Sequence, residues 1–363
     1  MPDTIKSAAD LTALHLIQSQ KWESQIAKTG YPHIDDAMGG GLFPRLYVLG
    51  GDTSTGKTTF ALNIANNIAA TGRTVIFFCM EMTAEEMTAR SLSRLTYEHE
   101  HDTAAAWTEN QIIYYTRNED RPREAPQKAY AYAEAAFATG SGKHLYFVPG
   151  RRPAEGLTLA EAEKEAADNG EAPTTDKCGV REFVESLSSL NPLPPVVIVD
   201  YLQIMRPEPG TERLTEREQI NRNIEGLLRL KTVLQCPVIA VSSYNRNSYN
   251  KSENTNAAFK GSGEIEYSAD ALIFLSVITE AKDTKPGNGG KWGNGSEDTA
   301  QFYNAMGEET RKIKYQVTKN RGAKYWQEVN LDYIPRFNLF QESIDETIKD
   351  KAQERKAHRK EPF

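Results

Sequence analysis

A run of β-favouring residues, Leu46 to Leu49, breaks into a glycine pair and leads through a lysine-bearing turn into a helical pattern: RLYVLGGDTSTGKTTFALNIANNIAA, Arg45 to Ala70. No other stretch limits the possible folds as much. Gly51, four residues, then Gly56, Lys57 and Thr58 is the spacing of a phosphate-binding loop. Glycine lets successive N–H groups turn toward one concavity, and the first turn of the next helix adds partial positive charge, so polyphosphate can replace the water on those donors. Lys57 can reach the terminal phosphates, and the Thr58 hydroxyl is placed to hold Mg²⁺. Gly51, Asp52, Thr53, Ser54, Thr55, Gly56, Lys57, Thr58 and Thr59 therefore form the candidate nucleotide cradle. Phe60, Ala61, Ile64, Ala65, Ile68 and Ala69 recur at helical spacing and give the helix a buried face. Strand, loop and helix in that order predict an α/β fold.

At 363 residues the chain has room for one large α/β domain with additions, or two small ones. A net charge of −7 argues against a protein that coats nucleic acid with its whole surface, but leaves room for a local basic groove. The three cysteines are far apart and form no CxxC pair, so neither a zinc site nor a disulfide framework is expected. No apolar run is long enough to cross a bilayer, and the first residues lack a signal-peptide pattern. The expectation is a cytoplasmic protein without membrane contact.

Val75 to Cys79, VIFFC, reads as a strand covered on both faces. Thr83 and Glu86 have capping-box spacing, with Met82 and Met87 placed as a hydrophobic staple, so a helix should begin near Thr83. Capping leaves Glu81 unexplained. It follows a parallel strand at the edge where open α/β sheets bind ligands, and a carboxylate there can take the proton of a water attacking a γ-phosphate. Position alone also allows a surface glutamate. In PPVVIVDYLQI, Val196 to Val199 end in Asp200, which can support the Mg²⁺ shell. His33, Asp35 and Asp36 read as loop or cap residues, because no cluster has metal-ligand spacing.

The remaining pattern predicts two helices within 97–142, a strand at Lys143–Val148, a hydrophilic surface insertion at 150–177 without chemistry, and a helix at Val180–Leu190. A helix at Gln219–Leu234 and strands at Pro237–Ser242 and Ala271–Ser276 follow. Between those strands, Arg246, Lys251, Lys260, Gly261 and Gly263 lie among aromatics, a composition that suits a nucleic-acid backbone and a solvated loop equally. Residues 279–309 should form a disordered tip. Lys312–Thr318 and Tyr325–Tyr333 predict a β-hairpin with Lys319 and Arg321 at its end.

Taken in order, TGYPHIDDAMGGGL, GGDTSTGKTTFALNIA, FFCMEMTAEEM, VVIVDYLQI, PVIAVSSYNR, GSGEIEYSADALIFL and VTKNRG resemble the carboxy-terminal motor domain of DnaB-type replicative helicases, a RecA-like P-loop NTPase branch. The resemblance spans about residues 29–341. It implies a mostly parallel central sheet flanked by helices, with a C-terminal β-hairpin. It also implies a homo-oligomer, a hexameric ring, that hydrolyses ATP with Mg²⁺ between subunits and draws single-stranded DNA through its centre, with a loader or primase as further partner. By position, Lys57 and Thr58 bind phosphate and metal, Glu81 resembles the catalytic base, and Asp200 the second-motif carboxylate. Arg321, with Lys319 beside it, resembles the finger given to a neighbour's γ-phosphate. Arg246, Lys260, Gly261 and Gly263 fall in the DNA-contacting region.

Ser243 stands where the family has a sensor glutamine, and Lys260–Gly261 where it usually has Arg and Glu. Residues 1–28 are expected to be a helical arm in place of the family's amino-terminal domain, and 342–363 a charged tail. A stand-alone motor of this kind is expected of a phage, plasmid or mobile element. Two alternatives stay open: a RecA-like DNA-dependent ATPase of recombination or regulation that does not unwind, and a nucleotide-binding interaction protein without turnover.

Overall fold

The computed structural model describes residues 25–52, 54–117, 128–169, 177–211, 213–243, 263–278, 302–303, 309–322 and 327–343. The arm up to residue 24, Thr53, Arg246, Lys260, Gly261, residues 279–301 of the glycine-rich stretch and the tail from 344 lie outside the described residues.

The first half of the chain forms α1 (Pro32–Ala37), β1 (Leu46–Gly51), α2 (Lys57–Ala70), β2 (Val75–Cys79), α3 (Ala84–Glu100), α4 (Glu109–Arg117), α5 (Lys128–Thr139), β3 (Leu145–Pro149), α6 (Leu159–Asn169) and α7 (Val180–Ser188). Next come β4 (Val196–Asp200), α8 (Glu216–Leu234), β5 (Val238–Val241), α9 (Gly263–Ser268), β6 (Ala271–Val277), β7 (Phe302–Tyr303), β8 (Glu309–Asn320), β9 (Gln327–Ile334) and β10 (Leu339–Glu342). The sheet order is β10-β9-β8-β6-β1-β5-β4-β2-β3, with β7 paired to β8. From β3 across to β6 every neighbouring pair is parallel. β8, β9 and β10 add an antiparallel extension.

The continuous apolar strands are explained by helices on both faces. Along β2, Val75, Phe77 and Cys79 join one core with α2, while Ile76 and Phe78 join a second core with α7 and α8. Each fully buried Phe or Ile contributes about 1.5–3 kcal/mol, so a one-residue slip would invert two cores at once. The Thr83 capping box forms as the spacing predicts: the Glu86 N–H donates to Thr83 Oγ1, and Glu86 accepts the Thr83 N–H at 2.8 Å.

Several boundaries differ from the sequence expectation. Thr215 and Glu218 form a second capping box that starts α8 three residues before Gln219. Residues 97–142 contain the end of α3 as well as α4 and α5, and Ser141–Lys143 is a 3₁₀ turn, so β3 starts at Leu145. Two residues of the expected disordered stretch, Phe302 and Tyr303, pair with Thr310 and Glu309. The start of the expected surface insertion is core: Ala154 is buried against Gly226, and the Arg152 guanidinium lies 4.2 Å over the Phe183 ring. β8 runs to Asn320, so Lys319 is still a strand residue and Arg321 opens the turn after it.

β10 has no warning in the sequence. It is held partly by buried Asn63 on α2, whose amide donates to the Thr59 and Asn338 carbonyls at 2.8 and 2.9 Å and accepts the Phe340 N–H at 3.1 Å. Asn63→Ala strands that N–H and carbonyl away from water, an expected loss of about 2–4 kcal/mol in urea denaturation.

Candidate active site

The parallel strands all end on one edge, and the candidate chemistry collects there. β1 delivers the phosphate loop, β2 delivers Glu81 two residues past Cys79, and β4 delivers Asp200 directly opposite Cys79. The Met80 N–H donates to the Asp200 carbonyl at 3.0 Å, which fixes the start of the Glu81 segment against β4.

Two glycines in the loop meet steric demands. A Cβ on Gly51 would lie 2.4 Å from the Leu275 carbonyl oxygen, because β1 and β6 approach closely there. Gly56, at φ +80°, caps α2 in the left-handed region, and its Cβ would meet the Phe340 and Tyr333 rings at 2.9 and 3.0 Å. Lys57 Nζ donates to the Gly51 and Asp52 carbonyls at 2.9 and 2.7 Å. Burial lowers the Lys57 pKa, while Asp52, Asp200 and Glu81 oppose that shift. Thr58 hydrogen-bonds the Asp200 side chain. Burial pushes Asp200 up to about 6, with Glu81 adding to the rise and Thr58 and Lys57 opposing it.

A cleft of about 570 Å³ joins Lys57, Thr58, Glu81 and Asp200. Its far wall comes from residues that sequence reading missed. Arg311 donates to the Ser54 carbonyl at 3.2 Å, Tyr333 hydrogen-bonds Thr59, and Arg90 pairs with Glu109 at 3.0 Å beside Asn338. Arg311 and Tyr333 lie in strands whose alternation reads as ordinary hairpin, and nothing local marks Arg90 or Glu109. Ser243 also lines the cleft. Its N–H donates to Gln203 Oε1 at 3.0 Å, and Gln203 Nε2 donates to Ser242 Oγ at 2.7 Å, so a glutamine amide from the turn after β4 occupies the flank of position 243.

Lys319 and Arg321 are not part of this cleft. Lys319 pairs in register with Leu272 near the start of β6, whereas Gly51 pairs with Leu275 near its end. Both cations therefore lie toward the amino edge of the parallel sheet, the end remote from the phosphate loop of the same chain. Gly263 is the first residue of α9.

Among the described residues no cluster of three or more His, Cys, Asp or Glu could cage a metal ion. Mg²⁺ held through phosphate oxygens and water needs only one or two protein oxygens, and the adjoining Thr58 hydroxyl and Asp200 carboxylate fit that requirement.

The family model described as DnaB-like helicase C terminal domain matches residues 27–117 and 179–342. The chain belongs to this family. Replicative DNA helicase DnaB of Haemophilus influenzae is 28% identical over 251 residues, 68% of this chain and 45% of that protein. DnaB of Helicobacter pylori strain 26695 is 25% identical over 311 residues, 83% of this chain and 55% of that protein. The chain thus spans about half the length of the DnaB proteins it matches. The solved ATPase domain of G40P superposes with a TM-score of 0.65 at 16% identity, covering 93% of this chain and 99% of that one. A DnaB-like replicative helicase, described with its interactions with primase, gives 0.61 at 16% identity, covering 93% and 67%. These two share the RecA-like fold with this DnaB-family chain. Among its described residues no helix is long and apolar enough to cross a membrane.

Because burial raises Asp200 to about 6, above the ordinary aspartate value of about 4, the native state binds more protons than the unfolded chain between those values. Stability contributed by this group is therefore present below pH 4 and lost as pH rises through 6. Without Mg²⁺, Asp200→Asn should remove that slope, gaining on the order of 2–3 kcal/mol on the parent between pH 4 and 7 in urea titrations.

Proposed function

We propose that this DnaB-family domain hydrolyses ATP with Mg²⁺ at interfaces between identical subunits of a hexameric ring, and thereby moves along single-stranded DNA as a replicative helicase. The observation that carries the reading is the split of charges between the two sheet edges. Lys57, Thr58, Glu81 and Asp200 share one cleft, while Lys319, level with Leu272, lies about 10 Å back along β6 from Leu275, the partner of Gly51, and Arg321 lies further back beside Asp270, counted at roughly 3.3 Å per residue. Such a cation serves a second copy's cleft better than its own.

In this reading Lys57 and the loop N–H groups bind the β- and γ-phosphates, and Thr58 and Asp200 hold Mg²⁺, which when bound neutralises charge on the phosphate oxygens. Glu81 orients the attacking water and accepts its proton as the new P–O bond forms and the bond to the β-phosphate oxygen breaks. Arg321 of the adjoining subunit stabilises the charge that develops. Arg246, Lys260, Gly261 and Gly263 contact the DNA backbone inside the ring, and a loader or primase is the expected partner.

Glu81→Gln should leave ATP binding intact and reduce hydrolysis about 10²–10⁴-fold in a phosphate-release assay. Surviving hydrolysis removes Glu81 as the base. Arg321→Ala should cost about 10³–10⁵-fold, with part of the rate returning when it is mixed with Lys57→Ala subunits, because each then supplies what the other lacks. On a forked duplex the parent should displace a strand. DNA-stimulated hydrolysis without displacement would leave a RecA-like ATPase that does not unwind.

A further inference from the structure

We infer that Asp270 is a positioning residue for hydrolysis, fixing Arg321 and Lys319 in the pose in which they meet a neighbouring subunit's nucleotide; the inference rests on the shared-site reading above. Asp270 is 8% exposed and lies where α9 turns into β6. Its backbone N–H donates to the Leu46 carbonyl at 2.9 Å, and its Oδ2 accepts the Leu46 N–H at 2.9 Å, so it is bonded on both sides to the first residue of β1. The same Oδ2 accepts the Lys231 ammonium from α8. Its Oδ1 faces the Arg321 guanidinium at 3.7 Å, and its carbonyl accepts the Arg321 N–H at 2.9 Å.

The two cations also converge on the carboxyl end of α9. Arg321 donates to the Tyr267 carbonyl, and Lys319 donates to the carbonyls of Glu266 and Tyr267. These oxygens belong to the last turn of a helix, its partial negative end. Arg45 adds a third cation, packed so closely under the turn that a Cβ on Gly322 would collide with its guanidinium. Lys231 and Arg321 thus pair with one buried carboxylate, Lys319 feels its charge together with that of Glu266, and Arg45 packs under the same turn.

A structural hub alone would need only the Leu46 and Lys231 bonds. The added pairing of both the Arg321 backbone and its guanidinium with one residue sets the direction of that side chain. The local excess of positive charge leaves the group matched to an incoming polyphosphate. Without the Asp270 charge, Arg321 and Lys319 repel each other over a half-exposed turn and lose their common counter-ion.

The test uses Asp270→Asn and the double variant Asp270→Asn/Lys231→Met, which also removes the ammonium left without its partner. Both should bind a fluorescent ATP analogue within about twofold of the parent while kcat falls tenfold or more. Mixing either with Lys57→Ala subunits should restore part of the rate, because the sound cleft of one then meets the intact Arg321 of the other. Parental kcat in the double variant, or a loss that mixing does not repair, overturns the positioning role. Arg321→Ala run in parallel separates the two ideas. Full turnover by Arg321→Ala overturns the shared-site reading and the positioning role with it, whereas its loss beside full turnover in both Asp270 variants overturns the positioning role alone.

Discussion

Six strands pointing the same way put every strand-to-helix turn of the site on one edge of the sheet, and the electrostatics of the molecule follow from that polarity. On this edge α2 presents unsatisfied N–H groups and a partial positive end. Lys57 adds a full charge, and Asp200 and Glu81 supply the opposing carboxylates. Because the parallel core is covered on both faces, Asp200 emerges into surroundings poor in water, and burial rather than its neighbours dominates its titration. A buried carboxylate of raised pKa beside a desolvated ammonium is an arrangement that a polyphosphate and a divalent cation would relieve together.

The antiparallel extension does more than lengthen the sheet. β8, β9 and β10 fold back so that Tyr333 and Phe340, stacked at 4.3 Å between ring centroids, lie against Gly56 where any side chain would collide. The same strands bring Arg311 to the carbonyl of Ser54, and Asn63 stitches β10 to the loop helix. The phosphate loop is therefore packed from the carboxyl-terminal side. The shape of the cleft and the stability of the last strands depend on the same contacts.

At the opposite edge the charges are inverted. One buried carboxylate, Asp270, accepts a backbone N–H from β1 and faces cations from α8 and the turn after β8. The helix whose carbonyls receive Lys319 and Arg321 begins at Gly263, where the glycine-bearing loop of the sequence ends. An anion-accepting cleft at one sheet edge and a cationic cluster near the other are the complementary pair that the proposed shared site between copies requires.

Local sequence was sufficient for the elements whose cause is local. Leu46–Leu49 and Val75–Cys79 are continuous apolar runs, and only burial on both faces accommodates such runs in a strand. Gly51, Gly56 and Lys57 carry their conformational and charge requirements in their own chemistry, and Thr83 with Glu86 closes a helix end within four residues. Tertiary structure alone decided what pairs residues far apart in the chain. The LFQE of β10 is too short to signal a strand before β9 offers it an edge, and Ala154 becomes core only because Gly226 leaves room for it. Arg90, Glu109, Arg311 and Tyr333 reach the cleft through contacts across the fold, and Asp270 gains its cations from residues 39 and 51 positions away in sequence. Periodicity and capping record the interactions a residue makes with its near neighbours, so the partners brought together by sheet closure leave no trace in either.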